Sequence, residues 1–155
     1  MYNFIGKYDV KADVRGRIFM PSHYRKLLPE GEKERVVLRR SSEADYLILY
    51  PVPVWERMVS ELKAGLDEWN PDDQLLMMQF VSEAEWLEID AQGRILLTKK
   101  HVSNLGLEGN DMLFVGMLDR IAVWSKNRYY ERMPAVTDFS ERLKSKMMKT
   151  NVQHE

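Results

Sequence analysis

Asp13-Val14-Arg15-Gly16-Arg17-Ile18 returns as Asp90-Ala91-Gln92-Gly93-Arg94-Ile95, so the pattern Asp-x-x-Gly-Arg-Ile occurs twice, 77 residues apart, in a chain of 155. The chain is therefore read as two copies of one unit. Each copy reads as a strand, a tight turn and a second strand. Asp13 and Asp90 suit the first position of a type I turn, because a carboxylate there accepts a backbone N–H two residues on. Gly16 and Gly93 supply the positive φ that a bulged hairpin needs at its fourth position. Before the first turn Val10 and Ala12 alternate with Asp9 and Lys11, and before the second Leu87 and Ile89 alternate with Glu88 and Asp90, the period of a half-buried strand. The pattern predicts two hairpins, each with a cation at its surface tip.

Working outward, strands are predicted over Tyr8 to Ala12 and Arg17 to Met20, with a short helix from Pro21 to Leu28 that Pro29-Glu30-Gly31 stops. Arg35 to Arg40 and Tyr46 to Tyr50 read as strands around a turn at Ser41 to Asp45. Pro51-Val52-Pro53 breaks the sheet, and Val54, Met58, Leu62 and Leu66 recur at the step of an amphipathic helix. Asn70-Pro71-Asp72 opens another helix, whose Leu75, Leu76, Met78 and Phe80 read as a packing surface rather than a ligand site. The second copy begins near Glu83. It continues into a helix from Lys99 to Leu105 ended by Gly106, strands over Asp111 to Met117 and Arg120 to Trp124, and a helix from Lys126 to Met133 capped by Ser125. Leu28 matches Leu105, and Trp55-Glu56-Arg57-Met58 resembles Tyr130-Glu131-Arg132-Met133, so each unit is hairpin, short helix, hairpin, longer helix. Asp138-Phe139-Ser140-Glu141 has capping-box spacing and is expected to open a last helix ending about Met148, with residues 150 to 155 fraying. The expected division is 7–54 for the first unit, 55–82 for linking helices, 83–126 for the second unit and 127–155 for the C-terminal helices and tail.

A unit of this size buries a thin core, so the halves are expected to pack together or between chains. With 45% hydrophobic and 30% charged residues and no low-complexity run, most of the chain should fold. The absence of Cys fits a reducing cytoplasm, and the lack of an apolar leader or an eighteen-residue apolar stretch predicts a protein neither secreted nor membrane-spanning. The net charge of -1 does not announce a nucleic-acid binder, but charge is segregated. Residues 1 to 28 hold six Lys or Arg against two Asp, whereas residues 67 to 90 hold eight acids and no Lys or Arg. Such segregation can create a positive face on a neutral protein, or reflect helices that happen to be acidic.

His23, His101 and His154 form no metal-ligand pair, and an exposed or partly packed imidazole is expected for the first two. No phosphate loop, nucleophile elbow or dinucleotide fingerprint occurs among the eight glycines, so no enzyme and no cofactor is predicted. Asp13 and Asp90 are explained by the turn. Arg17 and Arg94 are not, since a turn does not require Arg after its Gly. They read either as solvated edge residues or as docking points for phosphate or a guanine edge.

These residues resemble the MraZ family of bacterial transcriptional regulators, built from two SpoVT/AbrB-like swapped-hairpin domains. The resemblance runs through Phe4-Ile5-Gly6, both Asp-x-x-Gly-Arg motifs, Pro21 with Arg25, Leu49-Tyr50-Pro51-x-Pro53-x-Trp55, Phe114-Val115-Gly116, Trp124 and Asp138-Phe139-Ser140-Glu141-Arg142-Leu143. It implies an α+β fold in which tandem swapped-hairpin units form an intertwined β-barrel with flanking helices. It also implies a ring-shaped homo-oligomer, an octamer or larger, in the cytoplasm and on the nucleoid. The implied function is sequence-specific binding of double-stranded promoter DNA at tandem short repeats, as a repressor of the division and cell-wall gene cluster and its own operon. In the family the motif Arg lies on the DNA-binding face, here Arg17 and Arg94, with Arg15, Lys11 and Gln92 expected beside them. The alternative is a ring-forming scaffold without DNA specificity. Two departures stand out. Thr98 replaces the family's usual Pro, which should leave that helix start less fixed. Lys11 and Arg15 correspond to Glu88 and Gln92, which should make the first turn the stronger phosphate attractor.

Overall fold

The strands that flank each Asp-x-x-Gly-Arg turn do not pair with each other. In the computed structural model, which describes residues 2–28, 35–41, 45–106, 111–133 and 136–154, β1 (Lys7–Lys11) pairs antiparallel with β7 (Asp111–Gly116) of the other copy, and β2 (Arg17–Phe19) with β6 (Arg94–Leu96). Correspondingly β5 (Ala84–Glu88) pairs with β3 (Arg35–Arg40) of the first copy. The two expected hairpins are thus corrected to turns whose arms diverge into the opposite half. The predicted pairings β3 with β4 (Leu47–Tyr50) and β7 with β8 (Ile121–Ser125) do form. β4 pairing with β8 then unites one six-stranded sheet in the order β1-β7-β8-β4-β3-β5, beside the two-stranded β2–β6 ribbon. The described ladders do not close into a barrel: β1 and β5 remain the outer strands of the sheet.

The periodicities explain the burial. Ile18 and Ile95, the middle residues of the ribbon strands, face inward and are buried, as are Val36, Leu38, Leu47 and Leu49 of the central strands with Leu87, Met112, Phe114 and Val123. These residues come from both copies and form one core cluster. The largest cluster is therefore shared between the halves, which answers the thin-core difficulty, and smaller clusters lie around Trp55 in the first half and Trp124 in the second.

The helices are α1 (Ser22–Leu27), α2 (Val52–Ala64), α3 (Pro71–Ser82), α4 (Lys99–Leu105), α5 (Lys126–Arg132) and α6 (Val136–His154). Asn70 caps α3 by accepting from the N–H groups of Asp72 and Asp73, and Ser125 caps α5 by accepting from Arg128 N–H. Three expectations change. The apolar set of α3 packs only through Phe80, which stacks on Trp55 at 5.2 Å, while Leu75, Leu76 and Met78 stay exposed. Helix α6 begins at Val136, places Asp138 in its first turn and continues to His154, with no Gly or Pro to stop it before the chain's last residue. His101 is 4% exposed, fully packed where an exposed or partly packed imidazole was expected. The expected helix stop at Pro29 to Gly31 and the middle of the turn at Ser41 to Asp45 lie outside the described residues.

Thr98 explains His101. The Thr98 N–H donates to His101 Nδ1 at 3.2 Å, so the ring carries its proton on Nε2, 2.7 Å from Glu85 Oε2. The start of α4 is thereby fixed to β5 without proline, correcting the expectation of a looser helix. Tyr24 holds the equivalent place in the first copy, 77 residues earlier. It is fully buried, and its hydroxyl donates to the Gly6 carbonyl at 2.6 Å. Burial raises its pKa to about 12.

The Phe4-Ile5-Gly6 segment is tied to the turn between β7 and β8 by paired hydrogen bonds between Phe4 and Leu118, at 2.8 and 3.0 Å. Gly116 permits this approach, since a Cβ there would lie 2.4 Å from the Phe4 carbonyl oxygen.

Candidate nucleic-acid interface

Each turn is built by its aspartate. Asp13 Oδ1 accepts from Arg15 N–H at 2.8 Å and Arg17 N–H at 3.0 Å, and Asp90 Oδ1 accepts from Gln92 and Arg94 N–H, both at 2.9 Å. Gly16 and Gly93, at φ 83° and 82°, donate to the Asp13 and Asp90 carbonyls at 3.0 and 2.9 Å. In both turns Oδ2 then accepts the arginine Nε at 2.8 Å. The arginine after the glycine therefore has a place in the turn itself, which sequence reasoning had not foreseen. The two carboxyls sit below their ordinary pKa. At Asp13 burial pushes upward but is outweighed by the N–H groups of Arg17 and Arg15 and by the Arg17 guanidinium. At Asp90 the Arg94 N–H is the leading cause, working against burial and helped by the Arg94 guanidinium and Gln92 N–H.

Strand exchange brings the two turns together. Arg17 pairs with Leu96, Ile18 with Ile95 and Phe19 with Arg94. Side chains alternate across a strand, so with the isoleucines inward the other four share the outward face of the ribbon. Diagonal neighbours on such a face stand roughly 7–8 Å apart, which sets the spacing of Arg17 and Arg94. Phe19 is 62% and Leu96 49% exposed, and the Arg94 guanidinium lies 6.0 Å from the Phe19 ring centre. Each turn also grips the opposite copy: Leu97 N–H donates to Gly16 O and Met20 N–H to Gly93 O, both at 2.9 Å. The face is a near-two-fold patch of two held guanidiniums and two exposed apolar side chains.

The remaining expected residues divide between the two ends. Arg15 is exposed at the first turn and Gln92 at the second. Lys11, although it precedes the first turn in sequence, lies with Tyr8, His23, Arg25, Gln92 and Gly93 along a groove of about 580 Å³ beside the second turn. It is paired at 3.6 Å with Asp111. A Cβ on Gly93 would meet Arg25 Nη1 at 2.7 Å, so the Arg25 side chain crosses that turn. The expected advantage of the first turn is reduced to Arg15 against Gln92, because Lys11 and Arg25 bring first-copy charge to the second. Sequence reasoning missed Phe19, Leu96, His23 and Arg25 at this face. The repeat offset offered a signal for the first two, which occupy equivalent positions two residues beyond the motif arginines.

The family model described as "MraZ protein, putative antitoxin-like" matches residues 80–150. The chain is similar to a protein of Bacteroides fragilis named transcriptional regulator MraZ, with 37% identity over 128 residues, 83% of this chain and 80% of the relative. A relative of the same name from Bacteroides thetaiotaomicron is 35% identical over 153 residues, covering 99% of this chain and 97% of its own. One from Phocaeicola vulgatus is 34% identical over 148 residues, covering 96% and 95%.

Proposed function

This chain belongs to the MraZ family, and from that premise we propose that it is a sequence-specific DNA-binding transcriptional regulator whose reading surface is the outward face of the β2–β6 ribbon. The observation that carries the proposal is the pairing of Arg17 with Leu96 and of Arg94 with Phe19 on one face. A guanidinium steadied at Nε by a carboxylate keeps its far nitrogens in a defined plane, the arrangement needed for bidentate contact with guanine O6 and N7 or with phosphate. Phe19 and Leu96 offer apolar contact with thymine methyls between them. Arg15, Gln92 and Lys11 take flanking phosphates and bases, with Arg25 and His23 along the second groove.

In this reading the protein is a cytoplasmic, nucleoid-associated repressor of the division and cell-wall gene cluster that includes its own operon, and it binds tandem short repeats as a ring of copies in an intertwined-barrel arrangement. A single ribbon offers few contacts. Linked ribbons on tandem repeats gain affinity through effective concentration.

The test is selection of bound duplexes from random DNA at physiological salt, with Arg17→Ala, Arg94→Ala and the double variant alongside. A short repeated element is expected to enrich with the parent chain, weaken comparably for either single variant and vanish for the double. No enrichment from a folded parent chain would favour the scaffold reading instead.

A further inference from the structure

The groove beside the second turn is continuous with the outward face of the ribbon. Phe19 belongs to both: it lines the groove, and the Arg94 guanidinium lies 6.0 Å from its ring centre. A nucleic-acid strand that meets Arg94 can run on into the groove and pass α1. There His23 is exposed, its ring centre 6.4 Å from that of Tyr8 on β1 and 6.4 Å from that of Tyr24 on its own helix. Two residues further along α1, the Arg25 side chain crosses Gly93.

Most charges around His23 are matched in pairs. On β1, Asp9 lines the groove but is held by Lys126 of α5 at 2.8 Å, and Lys11 is matched by Asp111 of β7 at 3.6 Å. Lys7 of the same strand lies over the Tyr129 and Tyr130 rings at 5.4 and 5.3 Å. In the second turn Asp90 and Arg94 are bonded to each other at 2.8 Å, while Gln92, Gly93 and, from β2, Phe19 carry no charge. Tyr8 brings a phenol, and Lys26 of α1 is not among the groove's lining residues. Among the described residues no carboxylate pairs with Arg25 or His23, so the groove keeps one permanent cation and, beside it, one that titrates.

The repeat sharpens the contrast. Lys100 stands 77 residues after His23, so α4 carries a permanent cation where α1 carries an imidazole. Histidine is the side chain whose charge ordinarily changes between about pH 5 and 8, and a neighbouring anion favours its charged form. We infer, on the DNA-binding reading given above, that His23 binds a phosphate of the DNA backbone flanking the second turn only when it is protonated, so that affinity for DNA rises as pH falls. Binding takes up one proton at the imidazole, and the imidazolium pairs with the phosphate oxygen.

The test is fluorescence anisotropy of the full chain on a duplex it has selected and on a shuffled duplex of the same length, at about pH 8 and about pH 5.5. Each titration is run across a salt series, beside His23→Gln and His23→Lys. Both substitutions are at an exposed position, and circular dichroism at each pH checks that the fold, with its buried His101, is intact. The parent chain is expected to bind about three- to fivefold more tightly at the lower pH, the worth of an exposed ion pair. Its slope of log affinity against log salt should steepen by about 0.9 for each chain bound. A phosphate contact carries no sequence information, so the shuffled duplex should show the same change. His23→Gln should lose both effects, and His23→Lys should keep the low-pH affinity and slope at either pH. A pH response that survives in His23→Gln, one confined to the selected duplex, or a parent chain that binds equally at both pH values would overturn the inference while leaving the regulator reading in place. A folded parent chain that selects and binds no duplex at either pH would remove the regulator reading and this contact with it.

Discussion

Gly16 and Gly93 occupy the same place in two turns with φ values of 83° and 82°, yet their surroundings differ. A Cβ on Gly16 would lie 2.5 Å from the Leu97 carbonyl oxygen, part of the backbone that the first turn grips, whereas a Cβ on Gly93 would meet the end of the Arg25 side chain. Backbone cannot move aside without breaking the ribbon, but a guanidinium can. Alanine at either position adds about 1–2 kcal/mol of left-handed strain. Gly16→Ala is expected to cost more than Gly93→Ala in a denaturant melt, the difference being the displaced Leu97 carbonyl; equal losses would show that the grip on Leu97 is not rigid. The turn chemistry itself was legible in the sequence, because Asp and Gly serve their own neighbours. The arginine's bond back to the aspartate was not, since a surface cation and a turn-locking cation look alike in a string of letters.

At the scale of the element, the two short helices solve one problem in two ways. Pro21 opens α1 and is followed three residues later by Tyr24, which donates its hydroxyl to Gly6, while Thr98 opens α4 and is followed by His101, which needs the Thr98 N–H. Proline goes with tyrosine and threonine with histidine. Thr98→Pro should therefore destabilise this chain although its φ of -72° admits proline, because the buried Nδ1 loses its donor at a cost of about 1–3 kcal/mol. Thr98→Pro/His101→Tyr should recover part of the loss in thermal melts; a neutral single variant would mean the hydrogen bond carries no stability. Helix and strand positions were largely legible because their periodicities are local. What each strand pairs with was not: Val10 and Ala12 give the same alternation whether the partner is β2 or β7, and only the three-dimensional structure distinguishes them.

For the whole molecule, strand exchange means that each half completes the other's sheet and the main core cluster is shared. Either half alone, residues 2–82 or 83–154, is expected to fold only by pairing with a further copy, so its melting temperature should rise with concentration. A half that melts cooperatively as a monomer, at a temperature independent of concentration, would contradict that. The same exchange is what puts Arg17 and Arg94 on one face, since neither turn could present both. This face was half legible: the motif named the arginines, but their spacing and their apolar neighbours Phe19 and Leu96 depend on the register between halves. The most direct measurement is amide hydrogen exchange of the full chain with and without a duplex it selects. Added protection is expected to concentrate at residues 13–19 and 90–96, with smaller changes along the groove at residues 20–25. Protection confined to α3 and α6, with both turns unchanged, would contradict it.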